Sequence, residues 1–399
     1  MFVSASPVPS FRQLADFCFG KRRDPSLVHR LLFPGMGAHG FSWFERGRTA
    51  LLHALRGLRL GPSDWALLPA YLCPAVLVPF QESRIPYDFY PVTPDLGIDL
   101  DGVRAAVARR GPPRIALVIH YFGFPADVGG LVRCLEGEGG GGGGKGPAIL
   151  IEDCAHGLFS RDGDVPLGAR GDLSIFSLEK SLPLVRAGVL AVNGERVRIP
   201  PPRQGPPSAL PGLKGVGKAV WYRLESALGW SPRSVLLSVD RLRHKVYEAD
   251  ARQPMDTARG IDPRVLSWCA GLDVASVVAR RRWNYGFCAE RLRECSGARL
   301  LRRELPAGVC PLGLPVVLER RDAVRRSCYR RGLALRTLWD VLPREVSAWE
   351  ERTGNGAASL LRDRIALLPI HESLERRHLD YAIRVFLDEL RRVRVGDSR

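Results

Sequence analysis

The sequence lacks the cysteine patterns that mark metal sites, redox motifs and disulfide frameworks. Its nine cysteines are an odd number, and they include neither a CxxC pair nor a Cys/His spacing typical of zinc. Several of them, such as Cys73 and Cys154, lie inside apolar runs. We therefore expect small buried thiols in a protein of the reducing cytoplasm.

Long hydrophobic runs and a leader pattern are missing as well. The longest apolar stretch, Ala66 to Phe80, contains three prolines and is too short to cross a bilayer. The first residues, MFVSASPVPSFRQL, lack a charged start followed by an apolar core. These features predict a cytoplasmic protein without a membrane span.

Lysine is scarce, although the chain is strongly basic. Lys and Arg together number 59 against 42 Asp and Glu, and nearly all of the basic residues are arginine. The formal net charge of +17 favours anionic partners, whether phosphorylated substrates, nucleic acid or an anionic membrane surface. Because the arginines are spread along the chain without a long basic run, we do not expect a nucleic-acid-binding protein.

Strand-like and helix-like segments alternate from Thr49 to about Leu190. The apolar runs RIALVIHYF, AILIEDCAH and DLSIFSLEK are typical of strands buried on both faces of a parallel sheet. Before these runs, the strand-like segments WALLP and IPYDFYPV lie between TALLHALRGL and GIDLDGVRAAVARR, which have helical periodicity, and Asp99 is a candidate N-cap. This alternation predicts an α/β layered domain. The predicted division is an N-terminal extension over 1–40, a large α/β domain over 41–195, a Pro-rich connection with a helical segment over 196–260, and a smaller C-terminal α+β domain over 261–399.

Two segments offer binding groups at the start of a predicted helix and at the end of a predicted strand, where ligands bind in open α/β sheets. The backbone N–H groups of Gly47 and Arg48 and the Thr49 hydroxyl can hold a phosphate at a helix start, although an ordinary capped helix explains the same residues. Tyr71 follows the strand in ALLPAYLCP, where it can stack on a planar ligand or pack in the core.

Asp153 and Lys180 follow two of the buried strands. A carboxylate at Asp153 is costly unless it has a partner, which can be a pyridinium nitrogen or the backbone of the next turn. Lys180 is either a solvated lysine or a Schiff-base lysine, a role that arginine cannot fill. Ser177 offers a hydroxyl for phosphate, and His156 is either a structural residue or a contact for a ring.

The order of these segments resembles the DegT/StrS family of sugar aminotransferases that depend on pyridoxal 5'-phosphate (PLP), in the aspartate-aminotransferase superfamily. The resemblance covers roughly residues 40 to 390. It is carried by GRTAL at the phosphate turn, ALLPAYLCP, HYFGFPAD, IEDCAH, FSLEK and, near the C-terminus, LLPIHESLERRHLDYAIRVF.

This resemblance implies a three-layer PLP-transferase fold of type I, with a mostly parallel central sheet and a smaller C-terminal α+β domain. It implies that Lys180 binds PLP as a Schiff base and then moves the proton. Asp153 is then expected to pair with the pyridine nitrogen, and the other implied contacts are His156 and Tyr71 beside the ring and Gly47, Arg48, Thr49 and Ser177 at the phosphate. The implied reaction moves an amino group from an amino acid, glutamate, to a keto-sugar that is usually nucleotide-linked, in polysaccharide or secondary-metabolite biosynthesis, by a homodimer.

The sequence also departs from the family pattern. The lysine segment is shorter than in most members and is similar to a sub-branch, and the glycine-rich turn after it reads Arg186-Ala187-Gly188, which can narrow the space beside the cofactor. The phosphate-binding segment that the family's partner subunit donates is not recognisable. Two alternatives follow: a catalytically degenerate member with a structural or regulatory role, and a PLP-dependent sugar dehydratase. Such dehydratases carry histidine in place of the lysine, so Lys180 argues against the second.

Overall fold

The computed structural model describes residues 1–21, 23–24, 27–136, 147–183, 187–203 and 254–395, together with positions 217, 220 and 224. The six consecutive glycines at 139–144 lie outside these residues, as does most of the Pro-rich connection with its predicted helical segment. Among the described helices, none combines the length and the apolar character needed to cross a membrane.

A seven-stranded sheet forms the centre of the larger part of the chain. Its strands in spatial order are β1, β9, β8, β5, β4, β2 and β3. All adjacent pairs from β3 to β8 are parallel, whereas β9 is antiparallel to both of its neighbours. The strands are β1 (Gly40–Phe44), β2 (Ala66–Pro69), β3 (Tyr87–Tyr90), β4 (Ile115–Ile119), β5 (Ile149–Asp153), β8 (Leu173–Ser177) and β9 (Gly188–Val192), with the short hairpin β6 (Arg161–Asp162) and β7 (Val165–Pro166) between β5 and β8.

Helices cover this sheet, and the apolar runs of the sequence explain why. Every residue of β2, β4 and β8 is buried, as expected for strands covered on both faces. Asp99 caps its helix as predicted, since its side chain accepts a hydrogen bond from Gly102 N–H at 3.0 Å. The helices of this part are α1 (Phe11–Phe19), α2 (Leu27–Leu32), α3 (Gly47–Gly57), α4 (Pro74–Glu82), α5 (Leu100–Arg110) and α6 (Val128–Glu136).

The C-terminal part has a three-stranded antiparallel sheet of its own, in the order β10 (Ala298–Leu300), β11 (Leu314–Leu318) and β12 (Ile365–Leu368). The helix-forming stretch from Arg264 to Cys295 is divided into two helices, and Asp273 caps the second one by accepting from Ser276 N–H at 3.0 Å. The helices here are α7 (Pro263–Cys269), α8 (Val274–Leu292), α9 (Arg321–Arg330), α10 (Arg344–Thr353), α11 (Ala357–Arg364) and α12 (Arg376–Val395).

Both parts share a hydrophobic core, which includes Phe44 and Leu68 beside the large sheet and Leu314 and Phe386 in the C-terminal part. The N-terminal segment contacts the C-terminal part of the chain, since Val3 pairs with Leu333 in a parallel bridge. The carboxyl ends of β2, β4, β5 and β8 meet at one edge of the large sheet. Because ligands bind at this edge in open α/β folds, the functional site is expected there.

Candidate active site

A cavity of about 210 Å³ opens at the carboxyl ends of the parallel strands. Five of the eight residues predicted to bind a cofactor line it: Gly47, Arg48, Asp153, Ser177 and Lys180. These residues come from α3, β5, β8 and the turn after β8, so the fold brings together groups that are up to 133 positions apart in sequence, from 47 to 180. The other described lining residues are Arg46, Leu51, Cys73, Ala75, Val76, Leu117, Ala155, Ile175, Glu179, Leu338 and Trp339.

Asp153 is the last residue of β5 and lines this cavity. One of its oxygens, Oδ1, accepts a hydrogen bond from the backbone N–H of Ala155 at 2.9 Å. Burial raises the pKa of Asp153, and the positive charge of Lys180 opposes that rise only in part. A carboxylate whose ionised form is disfavoured by burial gains from a cationic partner, so the cavity suits a ligand with a protonated nitrogen.

Lys180 ends the 3-10 turn that follows β8, and it lies next to His156. The Nζ atom of Lys180 is 3.2 Å from Nε2 of the imidazole. Burial and then the charges of Lys180 and Arg336 hold the pKa of His156 well below its ordinary value. The imidazole is therefore neutral near pH 7. The two nitrogens lie within hydrogen-bond distance of each other.

The start of α3 forms a corner of the cavity that is suited to an anion, and we call it the anion-binding corner. The first N–H groups of a helix have no acceptor within the helix and carry its positive dipole end, and here they belong to Gly47 and Arg48. Gly188 of β9 packs against this turn so closely that a Cβ on it would lie 2.1 Å from the carbonyl carbon of Arg46. Ser177, which pairs with Gly188 across the two strands and has its Cβ beside Gly47, lines the cavity at the same corner.

Three predicted residues do not line the cavity. Thr49 is buried within the first turn of α3, and His156 lies behind the lining residues Lys180 and Trp339, both of which it contacts. Tyr71 is fully buried, and its hydroxyl donates to the carbonyl oxygen of Leu338 at 3.1 Å. Sequence reasoning also missed Trp339, the aromatic side chain among the described lining residues, because it belongs to the C-terminal part.

The structure describes Ala187 and Gly188 of the altered turn after Lys180. Arg186 lies outside the described residues. The methyl group of Ala187 is fully buried in a hydrophobic cluster with Leu178 and Leu182, and its carbonyl accepts from Leu178 N–H at 2.9 Å. Ala187 is not one of the described residues that line the cavity.

Glu152, next to Asp153, belongs to a separate structural group behind the sheet edge. His120 Nδ1 accepts from Ala126 N–H at 3.1 Å, so its Nε2 carries the proton and donates to Glu152 at 2.8 Å. The same carboxylate accepts from the backbone N–H groups of Gly168, Arg170 and Gly171. His120, Glu152 and Cys154 are close enough to ligate a metal, but Glu152 already has this full set of donors, which indicates a structural role.

Solved structures share this fold over nearly the whole chain. The sugar aminotransferase CalS13 of Micromonospora echinospora matches with a TM-score of 0.65 at 16% identity, covering 97% of this chain and 99% of that one. Spr1654 of Streptococcus pneumoniae, in its PLP form, matches with a TM-score of 0.72 at 15% identity, covering 98% and 100%. At these identities the likeness establishes the fold, and the predicted transferase fold of type I is confirmed.

The family follows from the sequence comparisons. Residues 44–197 match the model of the DegT/DnrJ/EryC1/StrS aminotransferase family. A curated relative, the UDP-N-acetyl-3-dehydro-alpha-D-glucosamine 3-aminotransferase of Acidithiobacillus ferrooxidans, is 24% identical over 350 residues, which are 84% of this chain and 80% of the relative. The predicted family and the predicted enzyme class, an aminotransferase, are thereby confirmed.

Proposed function

We propose that this aminotransferase uses PLP and moves an amino group from an amino acid, with glutamate as the expected donor, to a nucleotide-linked keto-sugar. The observation that carries the proposal is the placement of Lys180 and Asp153 in one cavity with the start of α3. This set supplies a primary amine, a carboxylate for a cationic nitrogen and an anion-binding corner, which are the three groups that PLP requires.

The phosphate of the cofactor fits the corner at the start of α3. Gly47 and Arg48 offer N–H groups there, and Ser177 offers its hydroxyl. The close approach of Gly188 fixes the turn at Arg46, so these donors are in place before the anion arrives. The Arg48 side chain, which is largely buried, adds a positive charge at this corner.

Asp153 is proposed to hold the pyridine nitrogen in its protonated form. Inside the molecule its carboxylate loses solvation, and a cation on the ligand would restore part of that loss. When bound, PLP supplies an electron sink for the bond changes of amino-group transfer. The role of the protein is to keep the pyridine nitrogen protonated and the ring oriented.

Lys180 is proposed to bind the cofactor through Nζ and later to carry a proton at the same atom. His156 stands 3.2 Å away and stays neutral, so it can hold the amine in place without adding a charge to the site. The family model covers both residues, which supports this pairing.

The substrate class is proposed from the relative and from the charge of the site. The relative's name specifies a UDP-linked keto-sugar as its substrate. In this chain Arg46 and Arg48 both line the cavity, and the overall charge is +17. Cationic side chains and positive potential favour a nucleotide diphosphate group. A role in polysaccharide or secondary-metabolite biosynthesis fits such a substrate.

The test combines trapping with an amino-transfer assay. Purified protein is incubated with PLP and reduced with borohydride, and the trapped peptide is mapped; the expected site is Lys180. UDP-linked and dTDP-linked keto-sugars are then offered with glutamate, and formation of 2-oxoglutarate is measured. An adduct on Lys180 with turnover of a nucleotide-linked sugar supports the proposal, and turnover of free sugars alone contradicts its substrate class. Absence of any adduct contradicts the proposed cofactor and favours a non-catalytic role.

A further inference from the structure

Trp339 supplies the aromatic surface of the cavity, although the sequence placed that function at Tyr71. Among the described lining residues it is the aromatic one, and it lies outside the region 44–197 that the family model matches. Its indole is only 3% exposed in the molecule. A planar ligand gains most from packing on a large aromatic face that water does not reach.

The turn that carries Trp339 is held in an uncommon backbone conformation. Trp339 has φ of 55°, in the left-handed region that bulky side chains rarely adopt. Two contacts fix this turn at Asp340, whose carboxylate accepts from the Thr337 hydroxyl at 2.8 Å and pairs with Arg321 at 3.1 Å. A strained residue that its surroundings hold firmly beside a cavity indicates a placement needed for function.

Tyr71 holds the same turn from the side of the large sheet. Its hydroxyl donates to the carbonyl oxygen of Leu338, the residue before Trp339. Its ring meets the indole edge-to-face, with 4.7 Å between the ring centroids and an interplanar angle of 66°. Tyr71 therefore acts on the position of the indole, and it does not itself line the cavity.

The indole also continues the aromatic surface next to the reacting lysine. The rings of Trp339 and His156 are nearly parallel, at 22°, with centroids 5.8 Å apart. His156 in turn contacts Lys180. The Trp339 indole is thus connected to the Lys180 amine through His156. Trp349 is equally buried at 3%, but it packs on Phe89 and is not among the described residues that line the cavity.

We infer that Trp339 is a cofactor-contacting residue, whose indole packs against the bound cofactor, and that Tyr71 is the positioning residue that holds it there. The inference rests on the proposed function, because it requires PLP in this cavity. It names a binding residue in the C-terminal part of the chain and gives Tyr71 a role different from the one predicted.

The experiment uses the full chain and four variants: Trp339→Phe, Trp339→Leu, Tyr71→Phe and the control Trp349→Phe. PLP is titrated into each, and its dissociation constant and the decrease in tryptophan emission are measured. Trp339→Leu is expected to raise the dissociation constant about tenfold, the size of one aromatic contact. Trp339→Phe should bind PLP nearly as wild type but lose the largest share of the emission decrease, which Trp349→Phe should retain.

Tyr71→Phe separates positioning from packing, since it keeps the ring and removes the hydrogen bond to Leu338. We expect it to weaken PLP binding about threefold, while the trapped adduct stays on Lys180. A wild-type protein that traps PLP, together with a Trp339→Leu variant that binds it within twofold of wild type, overturns the inference and leaves the proposed function standing. A wild-type protein that binds no PLP overturns both. Equal loss of emission change in the Trp339 and Trp349 variants also contradicts the inference.

Discussion

The Nζ atom of Lys180 lies 3.2 Å from Nε2 of His156, inside the cavity edge formed by the ends of β5 and β8. The contact joins a primary amine to an imidazole whose pKa burial holds well below its ordinary value. His156 therefore keeps the same charge across the neutral pH range, and changes in site protonation there must arise at other groups.

Replacement of Lys180 is expected to abolish covalent cofactor binding and leave the fold intact. In Lys180→Ala and Lys180→Arg the borohydride-trapped adduct should disappear, because neither side chain forms a Schiff base. Amino transfer should fall by about 10²-fold to 10⁴-fold, the range typical of a lost proton-transfer group. The control is Lys21→Arg at an exposed position, which should trap PLP as wild type does. An adduct that persists in Lys180→Ala would assign the reaction to another lysine.

Asp153→Asn is expected to separate activity from stability. Loss of the carboxylate should lower amino transfer by about 10²-fold to 10³-fold, since one preorganised charge no longer faces the ligand. Without ligand, the free energy of unfolding at pH 7 should stay equal or rise. Burial raises the pKa of Asp153 in the folded chain, so ionisation of this group costs stability as the pH rises through that pKa, and asparagine removes the cost.

The measurements for Asp153→Asn are steady-state kinetics and denaturant unfolding of the cofactor-free protein. Asp162→Asn serves as the control, because its carboxylate pairs with Arg170 on the surface. That control should change neither quantity appreciably. Full activity in Asp153→Asn would contradict the pairing with the pyridine nitrogen, and a large loss of stability would show that the carboxylate holds the fold.

Much of the sheet could be predicted from the sequence, because buried strands are continuous apolar runs. The run that became β4 is apolar over its whole length and those that became β5 and β8 are mainly apolar; β5 ends at Asp153, and Lys180 lies in the turn after β8. The direction of β9 was not predicted, since the apolar pattern is the same in either direction. Residues 178–187 are fewer than the dozen or more that a parallel crossover needs, which explains why β9 runs antiparallel.

The site was less accessible to sequence reasoning where distant segments meet. Trp339 follows no strand and starts no helix, and its φ of 55° belongs to an irregular turn that hydrophobic periodicity does not reveal. Tyr71 has the expected place after β2, but the direction of its ring depends on Leu338, which lies 267 positions further along the chain. Side-chain direction at a strand end is thus set by tertiary packing, which a local motif does not contain.

Glu152→Gln is expected to destabilise the protein. Glu152 is not among the described residues that line the cavity, so the change removes no contact to a bound ligand there. The carboxylate accepts from His120 and from three backbone N–H groups, and an amide removes one acceptor oxygen and introduces donors facing donors. We expect the free energy of unfolding to fall by about 3 kcal/mol. Denaturant unfolding measures this loss, and a change below about 0.5 kcal/mol would contradict the structural role of the group.

The same group predicts a pH dependence with a defined sign. Burial raises the pKa of Glu152. The hydrogen bond and charge of His120 and the backbone donors lower it by more than burial raises it, so the net pKa lies below its ordinary value. Its stabilisation is therefore complete above the ordinary carboxyl pKa and is lost as the pH falls through the lowered one. The stability difference between wild type and Glu152→Gln should narrow in acid. A difference that widens there would contradict the assignment.

Gly188→Ala is expected to disturb the anion-binding corner through the backbone. A Cβ at this position would lie 2.1 Å from the carbonyl carbon of Arg46 and 2.3 Å from the nitrogen of Gly47, so β9 or the start of α3 must shift. Because these contacts are with backbone atoms, side-chain rotation cannot relieve them. We expect a loss of about 1–3 kcal/mol in the free energy of unfolding and weaker binding of PLP.

Gly40→Ala provides the matched control for Gly188→Ala. Gly40 lies at the start of the adjacent strand β1 and would place its Cβ in open space, with nothing within 4 Å. It should leave both PLP affinity and unfolding nearly unchanged, so the difference between the two variants isolates the contact with Arg46. If both alanine variants bind PLP equally well, the α3 turn tolerates displacement and the phosphate must be held elsewhere in the cavity. A selective loss in Gly188→Ala places the phosphate at the start of α3, because that turn is the backbone the added methyl group displaces.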